Sequence, residues 1–214
     1  MISNSNLELN EHKEIYEKHA VFAPSQFYWI NYDPEKLLNF WDNRKAQEVG
    51  TYIHNVASTM IEAEYYFREN RVDCAEIKLT GKKSMNRHVM HSIKYGLTPE
   101  APVKYSDICF GHADALGYDL NKHILRINDL KTGKIPGHME QLEIYAALFF
   151  GEYWDQLTYG YQIDPYTTSI ELRIFQFNDE VLTTPTAQYI IDDVLGRIKE
   201  QHEILSDGLA RRGE

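Results

Sequence analysis

Two aspartates and a lysine define the chemistry this chain could perform. Asp114 lies in GHADAL (111–116), and Asp129 and Lys131 lie in INDLKTG (127–133). Residues two apart on a strand share a face, so an extended INDLK sets the Asp129 carboxylate beside the Lys131 ammonium and turns Leu130 to the core. A hard cation such as Mg²⁺ takes oxygen ligands near ~2.1 Å, and two carboxylates with one backbone carbonyl, that of Leu130, are a sufficient protein contribution. Waters and a substrate phosphate would complete the octahedron. Such an ion lowers the pKa of water from about 15.7 toward neutrality, and Lys131 can polarise the attacking water or balance charge on phosphoryl oxygens. These are the components of phosphodiester hydrolysis. An isolated Asp-x-Lys is usually a surface ion pair. Here it interrupts an apolar strand at its end and is followed by a helix bearing Gln141 and Tyr145, four residues apart and hence on one face.

Placing these groups requires a hairpin. Residues 107–118 and 123–130 read as strands, with GYDLNK (117–122) turning one into the next. Upstream, Pro34 opens a helix to about residue 46, and a second helix runs over about 47–70, with Val49, Tyr52, Ile53, Val56, Ala57, Met60 and Ile61 at helical spacing. His54 sits at the margin of that stripe, where a histidine is ordinarily a core residue. Downstream, 138–150 has the apolar period of a helix, with Met139, Leu142, Ala146 and Phe149 inward. Strands follow near 157–163 and 169–177, and a last helix, capped near Thr184 or Thr186, runs to about Leu205. The order of helices, hairpin, helix, strands and helix fits an α/β layer fold with a mixed sheet.

Composition sets the outer limits. A chain of 214 residues with 43% apolar and 25% charged residues can bury one good core, so a single domain over 1–214 is expected. Its helical part spans about 1–100, the hairpin and helix about 105–150, and the closing strands and helix about 155–206. Absence of a long apolar run or a signal-like start predicts a cytoplasmic protein with no membrane partner. Cys74 and Cys109 predict neither a disulfide nor a cysteine metal site, and Cys109 should be a buried thiol. A net charge of -10 argues against a polyanionic partner, yet no Asp or Glu occurs from Ile77 to Pro99, where five Lys or Arg fall. Within that stretch Ser84 should cap a helix that buries Val89, Met90, Ile93 and Leu97. Arg87, His91 and Lys94 share another face, which could bind DNA phosphates or simply be solvated.

GHADAL, a strand ending DLKTG, and QLEIY with its Gln-x-x-x-Tyr spacing together resemble the RecB-like branch of the PD-(D/E)XK nucleases, which includes phage and recombination exonucleases. GTYIHNV (50–56) is similar to the Gly-x-x-x-His segment that precedes the hairpin in that branch. The likeness runs in order from about Val49 to Tyr145. It implies a restriction-endonuclease-like core, a central mixed β-sheet flanked by helices with an N-terminal helical wall. It further implies that His54, Asp114 and Asp129, with the Leu130 carbonyl, bind one or two Mg²⁺ or Mn²⁺ ions, and that Lys131 is the catalytic lysine. Gln141 and Tyr145 match residues that flank the site and touch DNA phosphate. Glu62, two turns on from His54, is a weaker candidate for an outer carboxylate. Asp129 stands where many relatives carry Glu. The four cysteines of iron-sulfur members are missing, so no cluster is expected, and no helicase region is present. The expected partners are DNA ends, single- or double-stranded, a homo-oligomer as in ring-forming relatives, and a recombination partner protein. The setting would be a bacterial or phage-infected cell. An RNA substrate, endonuclease action, or a non-cleaving binding module on the same fold remain alternatives.

Overall fold

A computed structural model describes residues 6–15, 20–42, 58–63, 65, 83–131 and 136–212. Among the described residues, five strands form one sheet in the order β1-β2-β3-β4-β5: β1 Thr98–Ser106, β2 Cys109–Asp119, β3 Ile124–Leu130, β4 Ser169–Gln176 and β5 Asp179–Thr183. β3 and β4 pair in parallel and the other neighbours pair antiparallel, so the sheet is mixed. The main helices are α1 (Pro34–Asp42), α2 (Lys83–Tyr95), α3 (Met139–Asp155) and α4 (Leu195–Arg212). A shorter 3-10 helix spans Pro24–Asn31. Among the described residues, no helix is long and apolar enough to cross a membrane.

The expected hairpin is β2 with β3. Its turn is held by Asp119, whose Oδ1 accepts the backbone N–H groups of Asn121 and Lys122, each at 3.1 Å, as an Asx turn does. Side chains alternate along β3. Leu125 and Ile127 enter the main core with Ala146, Phe149 and Phe150 of α3. Leu130 instead joins Phe175 in a second cluster with Met85, Val89 and Ile93 of α2 and with Ile61. Helices α3 and α2 therefore cover opposite faces of the sheet, and Asp129 shares the α3 face with Leu125 and Ile127.

Several expectations are corrected. β1 was not foreseen: its Pro99 and Pro102 cannot donate to a ladder, which is tolerable because β1 is the sheet's edge. The strand expected near 157–163 is absent; α3 continues to Asp155 and a π-helical turn follows over Gln156–Gly160, burying Leu157. β5 is joined to β4 by Phe177 and Asn178, both at positive φ (52° and 63°), the backbone of a two-residue type I′ hairpin. Ser84 is not a cap: it lies buried inside α2, its Oγ accepting the Asn178 N–H at 2.8 Å. Met90 is 57% exposed, because the buried stripe of α2 runs through Met85, Val89 and Ile93. Thr186 does cap the last helical segment, its Oγ1 accepting the Tyr189 N–H at 3.2 Å. His54 lies outside the described residues, as do Cys74 and residues 132–135.

Candidate active site

The site forms where β2 and β3 part. Their ladder is paired as far as Ala115 and Asn128. Beyond it, the Leu130 N–H donates to Asp114 Oδ2 at 2.6 Å. A carboxylate thus takes a hydrogen bond that a continuing ladder would give to a carbonyl, and this ties Asp114 to the end of β3. On the far side of β3, the Lys131 N–H donates to the Phe175 carbonyl at 3.0 Å, so β4 fixes the backbone that carries the lysine.

Lys131 Nζ donates to Asp129 Oδ1 at 3.0 Å and to Gln141 Oε1 at 2.8 Å. The Asp129 side chain is 3% exposed, while that of Lys131 is 27% exposed. The aspartate is built into the fold and the ammonium lies at its rim. Gln141 and Tyr145 do share a face of α3, and the Tyr145 hydroxyl donates to the His112 carbonyl at 2.6 Å, bracing the strand just before Asp114. Burial holds the Tyr145 phenol well above its ordinary pKa, and the charges of Asp114, Asp129 and Glu100 add to the shift.

Glu100 escaped the sequence reading. Pro99 pairs with Ala115 and Ala101 with Ala113, so Glu100 stands opposite Asp114, and its φ of 44° bends β1 at that point. A left-handed glutamate is uncommon and worth about 1 kcal/mol or more of strain. The one signal in the sequence was a lone acidic residue in a proline-broken stretch.

Two glycines let neighbouring segments close on the site. A Cβ at Gly111 would lie 2.8 Å from Pro24 Cδ and 3.1 Å from Tyr145 Cε1, so only glycine lets the 24–31 helix seat there. One at Gly137 would lie 2.9 Å from Lys131 Cγ, and the Gly137 N–H donates to Gln176 Oε1 at 2.9 Å.

Oxygen donors from Asp114, Asp129 and the Leu130 carbonyl suit a hard divalent cation in type. They do not complete a shell: no group of three or more His, Cys, Asp or Glu able to hold a metal occurs among the described residues. Water, substrate oxygens and any ligand outside the described residues would have to supply the rest.

Arg87, His91 and Lys94 come together elsewhere. With Met90, Ile93, Asp179 and Glu180 they line a cleft of about 710 Å³ between α2 and β5, across the sheet from α3. Arg87 Nη1 lies 3.4 Å from Asp179 Oδ1, and Lys94 Nζ sits 4.9 Å from the centre of the Tyr95 ring. His91 Nδ1 meets Asn128 Nδ2 at 3.0 Å. Burial, aided by the charge of Arg173, pushes His91 down to about 4, so its imidazole is neutral near pH 7. Cys109 is buried, with its thiol pushed well above the usual range by desolvation.

Compared with known families and with curated proteins, the sequence matches no family model and no curated protein.

Proposed function

We propose that this chain is a Mg²⁺- or Mn²⁺-dependent deoxyribonuclease that hydrolyses phosphodiester bonds, and that it acts as an exonuclease on DNA ends in recombination or in phage or mobile-element DNA metabolism. One observation carries the reading: an ammonium at the rim, Lys131, held between the buried Asp129 carboxylate at 3.0 Å and Gln141 at 2.8 Å, at the end of a buried strand. The attachment of Asp114 to Leu130 supports it, since two carboxylates far apart in sequence are drawn to one strand end. The mixed sheet with helices on both faces is compatible with the restriction-endonuclease-like core that the motifs imply.

A divalent cation, when bound, neutralises phosphate charge and makes water a better nucleophile. Asp114, Asp129 and the Leu130 carbonyl would hold it, with His54 as the further ligand implied by the resemblance. Glu100 adds a third negative charge that draws a cation in. The Lys131 ammonium sits where charge builds on the phosphoryl oxygens, and Gln141 fixes its direction. Tyr145 holds the β2 backbone through His112. Arg87 and Lys94 are proposed to contact phosphates away from the reacting bond.

The test is to incubate the protein with end-labelled single- and double-stranded DNA in Mg²⁺, in Mn²⁺ and with chelator. Cleavage should require the cation and should be lost in Asp129→Ala and in Asp114→Asn. Near-normal cleavage by Asp129→Ala would falsify the site. Tight DNA binding by the parent with no cleavage in either metal would favour the non-cleaving binding module.

A further inference from the structure

The 24–31 helix brings two adjacent aromatic rings to the rim of the candidate site, and one of them stands in water. Phe27 and Tyr28 have ring centres 4.2 Å apart. The His138 ring lies 5.0 Å from Phe27 and 6.4 Å from Tyr28. Phe27 is half-buried against the core, whereas Tyr28 is 57% exposed. His138 is the N-cap residue of α3, yet its side chain makes no capping hydrogen bond, and its ionic neighbour Glu140 is 3.9 Å away. Its ring is committed to the aromatic cluster instead.

This cluster adjoins the proposed chemistry on two sides. His138 follows Gly137, whose backbone packs against the stem of Lys131. At the start of the 24–31 helix, Pro24 meets Gly111 in the same contact that includes Tyr145. An exposed aromatic ring braced on one side by a neighbouring ring can offer its other face as a stacking platform. Every nucleobase has a π-face, so such a platform grips bases without reading sequence. Inside a duplex each base is covered on both faces and only the terminal pair leaves one bare, so a shelf sized for a lone base favours an unpaired strand.

We infer that Tyr28, backed by Phe27 and with the His138 ring at its edge, is a stacking shelf for an unpaired base of single-stranded DNA whose phosphate lies at Lys131. The inference rests on the nuclease reading and narrows its substrate class.

A single-stranded oligonucleotide carrying a terminal 2-aminopurine tests it, with Ca²⁺ replacing Mg²⁺ so that the strand survives. The parent and Tyr28→Phe should quench the fluorophore on binding. Tyr28→Ala should not quench, and should bind the single strand about 5- to 150-fold more weakly while its affinity for blunt duplex stays unchanged. Tyr28→Leu, which keeps apolar contact with Phe27, should behave like the alanine variant and guards against a folding artefact. Unaltered quenching and affinity in Tyr28→Ala and Tyr28→Leu, in a protein whose parent cleaves DNA with Mg²⁺, overturns the shelf and leaves the nuclease reading standing. An equal loss on single strand and duplex also overturns it. A parent that neither binds nor cleaves DNA removes both.

Discussion

A lysine ammonium ends a flexible four-carbon stem, and fixing it costs about 2 kcal/mol of rotamer entropy. In this site two acceptors fix it: Asp129 supplies charge and Gln141 supplies direction. On the proposed reading Lys131 favours the transition state over bound substrate, so its loss falls on the rate. Lys131→Ala should bind labelled DNA in Ca²⁺ as the parent does and should cleave it on the order of 10²- to 10³-fold more slowly in Mg²⁺. On the same reading Gln141 positions Lys131 and acts through it. Gln141→Ala should lower kcat with KM unchanged, Gln141→Glu should recover part of the loss because it keeps an acceptor, and adding Gln141→Ala to Lys131→Ala should cost little more. Independent, additive losses would show that Gln141 works by another route. The types and spacing of Asp114, Asp129, Lys131, Gln141 and Tyr145 were legible in the sequence. That Asp114 would end a ladder by accepting the Leu130 N–H was not, because it depends on where two strands diverge. Glu100 was hidden by its prolines.

At the scale of elements, the contact of α2 with β3 and β4 stores a pH dependence. His91 of α2 faces Asn128 and Arg126 of β3, Glu171 and Arg173 of β4, and Lys94 of its own helix. Its pKa in the fold is about 4, against an ordinary 6.5. Above pH 6.5 the ring is neutral in both folded and unfolded chains. As pH falls from 6.5 to about 4 the unfolded chain takes up a proton that the folded one refuses, so stability declines through that window and stays reduced below it. The loss is about 2–3 kcal/mol, allowing for the ring's partial exposure. Urea unfolding of the parent and of His91→Gln across pH 4–7 measures it: the stability difference should shift in favour of the variant as pH drops. A difference that does not change with pH would exclude the effect. The elements differed in how openly the sequence announced them. The β2-β3 hairpin showed as two strand-like runs about the GYDLNK turn, and α3 carried the apolar period of a helix. β5 had no Asn-Gly or Asp-Gly turn to mark it, since Phe177 and Asn178 occupy the positive-φ positions. The stretch 157–163 alternates like a strand, but Leu157 lies a helical turn beyond Tyr153 and enters the core as an extension of α3.

At the scale of the whole molecule, the N-terminal segment is stitched along the sheet and α3. The Leu7 N–H donates to the Tyr118 carbonyl and the Phe22 N–H to the Ile108 carbonyl, both at 2.8 Å. Glu152 of α3 gathers the rest: it accepts from Asn10 Nδ2 at 2.7 Å, from the Lys104 N–H at 2.8 Å and from His12 Nε2 at 2.5 Å, with a side chain only 7% exposed. Removing that carboxylate strands the Lys104 N–H and the His12 ring, while the exposed Asn10 amide turns to water. Glu152→Ala should lower stability by about 2–4 kcal/mol, a fall in Tm of roughly 5–15 °C for a chain of this size. A calorimetric Tm equal to the parent's would mean that the segment is not held by this residue. The parallel pairing of β3 with β4 has a different consequence, for the chain's synthesis. Asp129 and Leu130 lie against Ile174 and Phe175, which are translated only after all of α3. Until then the strand that carries the proposed catalytic groups has one bare edge, and Lys131 lacks the Phe175 carbonyl that anchors its backbone. On the proposed reading, a chain still being translated would hold no finished site, and cleavage of DNA would wait until β4 had been made.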